Sequence, residues 1–375
     1  MKIGITCYPT YGGSGAVATE LGLALAARGH EVHFVSYDQP FRLAGLQERV
    51  VFHQVEMEDY PLFEHPPYAL ALAVALHDTA LRHDLDLVHM HYAIPHAVSA
   101  YLARQMLGDE RGLRIVTTLH GTDITLVGLH PSFHEITRFS ILGSDGLTAV
   151  SEYLKEQTVE GFSIPEERIQ VIPNFICADV WRPDHQPCHR AKFASEGESI
   201  VMHVSNFRPV KRAEDVVSVF SRIQERVPAR LIMVGDGPDR PKVSQLAREL
   251  DIEDRVLFLG KHQAVEDLLS YADLFLLPSE EESFGLAALE AMASGAPVIA
   301  TRAGGIPEVV EDGVSGRLLD VGDVTGMAEA GIRLLEDKDL RERMSSAGLE
   351  VAQSRYSTEI VVPQYEAYYE RVLSS

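Results

Sequence analysis

The stretch Glu280-Glu281-Glu282-Ser283-Phe284-Gly285-Leu286-Ala287-Ala288-Leu289-Glu290-Ala291-Met292-Ala293 joins the apolar strand pattern Leu274–Leu277 to a helix, and a second strand pattern, Pro297–Thr301, follows. Strand, loop, helix and strand in that order call for a right-handed crossover and a parallel sheet. Glu282 and Glu290 stand eight residues apart around the helix start. Glu282 falls in the loop, where a carboxylate accepts hydrogen bonds from sugar hydroxyls. The N–H groups of Phe284, Gly285 and Leu286, next to Ser283, point from the positive end of the helix toward an anion. Glu290, just over a turn into the helix, suits the vicinal hydroxyls of a ribose. An acidic first turn favoured by the helix dipole accounts for Glu280–Glu282, but not for the whole arrangement. Gly304-Gly305-Ile306-Pro307-Glu308 makes a further turn expected on the same side.

The same rhythm runs outward from this block in both directions. Downstream of a break after Ile172, strands are expected at Ile200–Val204, Arg230–Val234 and Val256–Leu259, with helices at Ala213–Glu225, Arg240–Leu250 and Val265–Tyr271. Upstream, strands are expected at Lys2–Cys7, Glu31–Ser36, Val50–Val55, Leu85–Met90, Arg114–Leu119, Gly146–Val150 and Ile169–Ile172. Helices are expected at Gly15–Arg28, Tyr68–His83, Ile94–Leu107, His130–Leu142 and Ser151–Gly161. Two helical stretches after Asp323 close the chain. The last, Thr358–Leu373, is aromatic on one face and is expected to pack back on the first half. The segment Asp179–Pro187, with two prolines and the chain's only tryptophan, Trp181, reads as a hinge. A chain of 375 residues suits two domains: 1–175, with the helix 357–375 crossing back, and 176–356. Two such sheets place ligands at the carboxyl ends of their strands, hence in a central cleft between the halves.

Composition narrows the partners. A net charge of −22 disfavours nucleic acid and anionic membrane alike, and only Lys2 supplies lysine in the first 150 residues. No run approaches the roughly 20 apolar residues of a membrane helix, and Met1–Thr6 reads as a strand rather than a secretory leader. A cytoplasmic enzyme with a small soluble acceptor is the expectation; self-association into a homo-oligomer stays open. Cys7, Cys177 and Cys188 have neither disulfide nor zinc-ribbon spacing.

Three further motifs carry chemistry. Gly12-Gly13-Ser14-Gly15 follows the first strand and opens a helix, an arrangement for an anion, although a plain turn between strand and helix reads as well. It is not a dinucleotide fingerprint, because no acidic residue closes the second strand. His120, in Thr117-Thr118-Leu119-His120-Gly121-Thr122-Asp123, stands at a strand's carboxyl end. His89, His91 and His96 suggest a metal at first sight, but no carboxylate or cysteine completes a set. Ser205-Asn206-Phe207-Arg208-Pro209-Val210-Lys211-Arg212 places three cations after a strand of an otherwise acidic chain, where a leaving diphosphate needs fixed positive charge.

The block from Glu282 to Glu290 resembles the EX7E signature of the retaining GT-B glycosyltransferases of family 4. The likeness extends through His120–Asp123, the Arg208/Lys211 cluster, Gly235–Pro238 and Gly304–Val310. Within that family Cys7–Gly15, His91–Ala97, Thr117–Thr125 and Ser205–Arg212 are similar to the members that make GlcNAc-malate for bacillithiol biosynthesis. The resemblance implies an α/β chain of GT-B type, two Rossmann-like domains with parallel sheets. It implies UDP-GlcNAc as donor, L-malate as acceptor, and no cofactor or metal. It assigns His120, Glu282, Arg208 and Lys211 to catalysis. Gly13, Asn206, Ser283, Phe284, Gly285, Leu286, Glu290 and Val265 are expected at the donor. Ser14, Gly15, Arg42, Tyr92, Thr118 and Asn174 are expected at the acceptor. A family member with a lipid or oligosaccharide acceptor is the nearest alternative; an NAD-dependent dehydrogenase and a non-catalytic nucleotide-sugar sensor fit less well.

Overall fold

The computed structural model describes residues 1–10, 12–43, 45, 47–58, 65–108, 111–183, 190–262 and 264–375. Residues 184–187 of the expected hinge, and Cys188, lie outside the described residues. The chain divides into two compact units, Met1–Asn174 with Glu359–Ser375, and Phe175–Thr358.

The first unit is built on seven parallel strands: β1 (Lys2–Thr6), β2 (Glu31–Ser36), β3 (Val50–Gln54), β4 (Leu87–His91), β5 (Arg114–Leu119), β6 (Gly146–Ala149) and β7 (Ile169–Val171). Their order is β3-β2-β1-β4-β5-β6-β7. Helices α1 (Gly13–Ala27), α2 (Tyr68–His83), α3 (Val98–Leu107), α4 (His134–Leu142) and α5 (Glu152–Phe162) supply crossovers. Every residue of β4 is buried, as a parallel strand covered on both faces requires. The chain builds outward from β1 to β3, then returns to place β4 on the other side of β1. That reversal opens a crevice at the carboxyl ends of β1 and β4.

The second unit repeats the plan with β8 (Ser199–Val204), α6 (Ala213–Gln224), β9 (Ala229–Val234), α7 (Arg240–Glu249), β10 (Val256–Gly260), α8 (Val265–Leu269) and β11 (Leu274–Leu277). It continues through α9 (Leu286–Ala293), β12 (Val298–Thr301), α10 (Ile306–Val309), β13 (Gly316–Leu319), α11 (Val324–Glu336) and α12 (Lys338–Tyr356). The sheet order β10-β9-β8-β11-β12-β13 puts the equivalent reversal between β8 and β11. Its core is anchored by α6, whose Val216, Val217, Val219, Phe220 and Ile223 are fully buried; truncating Phe220 alone would cost ~3–5 kcal/mol.

The last helix, α13 (Thr358–Ser374), packs on the first unit through its aromatic face. The Tyr368 hydroxyl accepts from the Leu147 amide at 2.6 Å and donates to the Leu147 carbonyl at 3.0 Å. Tyr369 meets His89 Nδ1 at 2.7 Å, and Glu366 pairs with Arg28.

Three differences from the sequence reading have local causes. The regular helix expected from Ile94 begins at Val98, because Ile94 precedes Pro95 and is held extended, at φ −127° and ψ 138°. The helix expected from His130 starts at His134, after turns that close Phe133 N–H on the His130 carbonyl. Three helices rather than two close the chain, since Asp337 caps α12 by accepting from the Leu340 amide directly after α11 ends. Strand β13 and the single turn α10 were not among the expected elements; β13 has an arginine, Arg317, within its four residues, and α10 is a single turn.

Candidate active site

In the second unit the loops after β8 and β11 flank the reversal and are tied together. Lys211 Nζ donates to Glu282 Oε1 at 2.6 Å, and the Ser279 hydroxyl donates to the same oxygen at 3.0 Å. The two charged side chains are only 19% and 15% exposed, so screening by water is weak. The backbone is pinned independently: Glu280 N–H donates to the Val210 carbonyl at 2.8 Å, and Gly305 N–H to the Glu282 carbonyl at 2.8 Å. Gly304 is required beneath this loop. It sits at φ +55°, and a Cβ there would lie 1.9 Å from the Glu282 carbonyl oxygen.

His203 supports the pair from below. Its Nδ1 donates to the Leu276 carbonyl at 2.8 Å, so Nε2 accepts the Ser205 hydroxyl at 2.8 Å. Burial, with the Lys211 charge nearby, pushes its pKa down to about 4, and the ring stays neutral. The Ser205 hydroxyl in turn accepts from the Phe207 amide at 3.2 Å, which shapes the turn that delivers Arg208. Arg208 and Asn206 are exposed, and no partner engages the Arg208 guanidinium among the described residues. The third cation of the motif, Arg212, pairs with Asp215 at 2.7 Å and heads α6.

Around the same loops, Gly285 precedes α9 at φ +100°, Phe284 is buried, and Ser283, Leu286 and Glu290 are half-buried. Phe284 packs edge-on against Tyr356, with ring centres 5.6 Å apart. Val265 is half-buried at the head of α8. Among the described residues these loops therefore bring together the open Arg208 guanidinium, the Lys211 ammonium held by a carboxylate, and the start of α9.

The equivalent loops of the first unit are neutral. Gly13 opens α1, and Gly15 lies over the Tyr8 carbonyl so closely that a Cβ would stand 2.5 Å from its oxygen. The Ser14 hydroxyl meets the Tyr92 hydroxyl at 2.9 Å. Tyr92 follows β4 at φ +97°, rare for a residue with a side chain, and its amide donates to the Thr118 carbonyl at 3.0 Å. Buried Asp123 holds this region by its backbone, accepting from Ala93 at 2.8 Å, Gly121 at 3.1 Å and His120 at 3.2 Å. Burial outweighs those bonds and pushes its carboxyl up to about 6.

His120 Nε2 faces His91 Nδ1 at 2.8 Å. The buried His91 Nε2 has no partner. An unpaired acceptor there costs less than an unpaired N–H, so His91 donates through Nδ1 and His120 carries its proton on Nδ1. Burial drives the His120 pKa down to about 3, which makes it a neutral hydrogen-bond donor.

Not all expected acceptor residues face outward. The Thr118 hydroxyl is fully buried, between His89 Nε2 at 2.7 Å and Thr148 Oγ1 at 2.6 Å, because the sheet is covered on both faces. Its side chain is an internal link, and the assignment to the acceptor is corrected. Arg42 pairs with Glu20 of α1 rather than standing free in its loop. Asn174 is buried, with its side-chain oxygen unbonded. His89, His91 and His96 are joined to Thr118, His120 and the His91 carbonyl respectively. Sequence reasoning missed Ser279, His203 and the anchoring part of Asp123. A small polar residue and a strand histidine carry no periodic signal.

Two parallel sheets of this order, one in each unit, place the chain in the GT-B class of glycosyltransferases. Anabaena HepE in complex with UDP and glucose superposes with a TM-score of 0.80 at 21% identity, over 99% of both chains. The Thermosynechococcus elongatus sucrose-phosphate synthase superposes at 0.81 and 21% identity, over 100% of this chain and 99% of the other. Residues 11–180 match the pattern of Glycosyltransferase Family 4, and residues 186–351 that of Glycosyl transferases group 1. The chain belongs to this glycosyltransferase family. It is 50% identical over 374 residues to the N-acetyl-alpha-D-glucosaminyl L-malate synthase of Bacillus anthracis, covering 100% of this chain and 97% of the relative. A GDP-mannose-dependent phosphatidylinositol monomannoside mannosyltransferase of Mycobacterium tuberculosis is 30% identical, covering 80% and 81%. No described helix is long and apolar enough to cross a membrane.

Proposed function

We propose that the chain transfers N-acetylglucosamine from UDP-GlcNAc to the hydroxyl of L-malate with retention of configuration, giving GlcNAc-malate and UDP. This would be the opening step of bacillithiol biosynthesis, carried out in the cytoplasm. The observation that carries the reading is the full-length 50% identity to the Bacillus anthracis enzyme. The alpha linkage in that enzyme's name, formed from an α-linked nucleotide sugar, corresponds to retention.

In this reading the second unit takes the donor and the first unit the acceptor. Arg208 and Lys211, with the N–H groups of Gly285 and Leu286, neutralise the diphosphate without a metal. Glu290 holds the ribose, Glu282 accepts from sugar hydroxyls, and Gly13, Asn206, Val265, Ser283 and Phe284 complete the donor surface. His120 donates from Nδ1 to the sugar. Ser14, Gly15 and Tyr92 orient malate, with Arg42 and Asn174 contributing. The sugar C1–phosphate oxygen bond breaks as the malate oxygen bonds to C1 on the same face. The malate hydroxyl proton passes to the departing phosphate oxygen, so no carboxylate nucleophile is needed, unlike the two-carboxylate scheme of retaining hydrolases. The Lys211–Glu282 ion pair supports this arrangement, since it holds the Glu282 carboxylate beside the Arg208 turn.

The test is UDP release from UDP-GlcNAc with and without L-malate in EDTA, with product mass and anomeric coupling recorded. Malate-dependent release of an α-glycosyl malate is expected. UDP release indifferent to malate would overturn the acceptor, and a requirement for added metal would overturn the charge-neutralising part assigned to Arg208 and Lys211.

A further inference from the structure

Away from the strand ends discussed above, three histidines converge at the edge of the first sheet. His33 on β2, His53 on the edge strand β3 and His83, the last residue of α2, each offer a ring nitrogen, and these nitrogens lie within 4.8 Å of one another. The ring centres are 5.1 Å apart for His33 and His53, 4.4 Å for His33 and His83, and 5.0 Å for His53 and His83. His33 is fully buried, whereas His53 and His83 are half-buried and leave the cluster open to water on one side. No other group of three histidine, cysteine or carboxylate ligands converges in this way among the described residues.

The proton inventory is that of a ligand set. His33 Nε2 meets Glu31 Oε1 at 2.9 Å, and a carboxylate only accepts, so the His33 proton is on Nε2. His33 Nδ1 therefore accepts from His53 Nε2–H at 2.8 Å, and an ion would take the place of that shared proton while His53 carries its own on Nδ1. A histidine whose second nitrogen donates to a carboxylate is the usual arrangement of an imidazole bound to a metal. Glu31 supplies one negative charge locally, and Lys2 and Arg82 supply positive ones. The Lys2 ammonium is turned onto the His83 carbonyl at 3.0 Å, which places the cluster near the amino end of β1.

We propose that His33, His53 and His83 form a binding site for a divalent transition ion of the zinc class, with Glu31 as the outer carboxylate that orients His33. Three imidazoles suit Zn2+ over Mg2+ or Ca2+, which take oxygen ligands. A fourth position is left to water. Small ring movements would bring the nitrogens to ~2.0–2.1 Å from a common ion. The ion would clip the edge strand β3 to the end of α2 and stabilise the first unit. It is independent of sugar transfer, for which no metal is invoked.

The full chain, stripped with EDTA and dialysed, is titrated with Zn2+ against a chromophoric chelator, and separately with Co2+ while the visible ligand-field spectrum is recorded. One equivalent per chain is expected, with a rise in Tm on saturation. The variants His53→Ala and His83→Ala are expected to lose that equivalent and the rise in Tm. Glu31→Gln is expected to bind ~10-fold more weakly. The Co2+ spectrum of the unaltered chain makes the test independent of how the variants fold. No stoichiometric ion in the unaltered chain, or undiminished binding by the double variant His53→Ala/His83→Ala, would overturn the proposal.

Discussion

The loops after the first and fourth strands of each sheet occupy equivalent places in the two units, and they carry opposite chemistry. After β1 and β4, Ser14 meets Tyr92 through two hydroxyls at 2.9 Å. After β8 and β11, Lys211 meets Glu282 through full charges at 2.6 Å. Topology alone decides that these loops touch, because the reversal of strand order opens a crevice there in both sheets. Side-chain type then decides what each crevice can hold. The ionic pair beside open Arg208 suits a diphosphate and sugar hydroxyls. The neutral cluster of Ser14, Tyr92 and His120 donates hydrogen bonds without adding charge. The contrast extends inward: among the described residues six histidines of the first unit have lowered pKa values, against one in the second.

The contrast is most directly broken at its charged end. Lys211→Ala is expected to lower kcat for UDP release by ~10²–10³-fold, the usual scale for removing a donor that stabilises developing charge, while malate KM stays near its original value. A change confined to malate KM would move Lys211 to the acceptor. His120→Ala should cost about tenfold in kcat/KM, the scale of one hydrogen bond; His91→Phe, which removes only its partner, should cost less and leave malate KM unchanged. An effect of His120→Ala as large as that of Lys211→Ala would erase the distinction between the neutral and charged loops.

Acid sharpens the same comparison. A histidine whose pKa is depressed in the fold gives stability that is complete above its unfolded value of ~6.5 and is lost as pH falls toward the folded value. His89 and His120, at about 3, and His53 and His96, at about 4, place that window between roughly pH 6.5 and 3 in the first unit. Among the described residues of the second, His203 alone acts so. Asp123, raised to about 6, opposes the trend, but it is one group against six. The first unit should therefore lose more stability between pH 7 and 5. Urea unfolding read by Trp181 fluorescence reports the second unit, and limited proteolysis with mass analysis locates the cuts. Earlier cleavage of the second unit in acid would contradict this. The smallest effect concerns the acceptor: Tyr92→Phe should raise malate KM about threefold by removing one hydroxyl. Arg42→Ala should do the same, and an unchanged KM would remove Arg42 from the acceptor and leave it as a structural partner of Glu20.

The doubled succession of strands and helices was legible along the chain, because parallel strands buried on both faces read as apolar runs and their crossover helices have a period of their own. The sequence also singled out the loops that the proposed function uses. Glu282, Lys211, His120 and the glycine turns all stand at strand ends, where residue type, spacing and position are local properties of the chain. Which side chains pair with which is a property of the folded chain. Lys211 and Glu282 are 71 residues apart, and Ser14 and Tyr92 are 78 apart. Strand order, which no local pattern encodes, brings them together. Burial likewise withdrew the Thr118 hydroxyl into the sheet and kept the strand histidines neutral, since desolvation depends on neighbours from the whole fold. The cluster of His33, His53 and His83 belongs to the same class: three histidines without motif spacing, made into neighbours by an edge strand and the end of a helix.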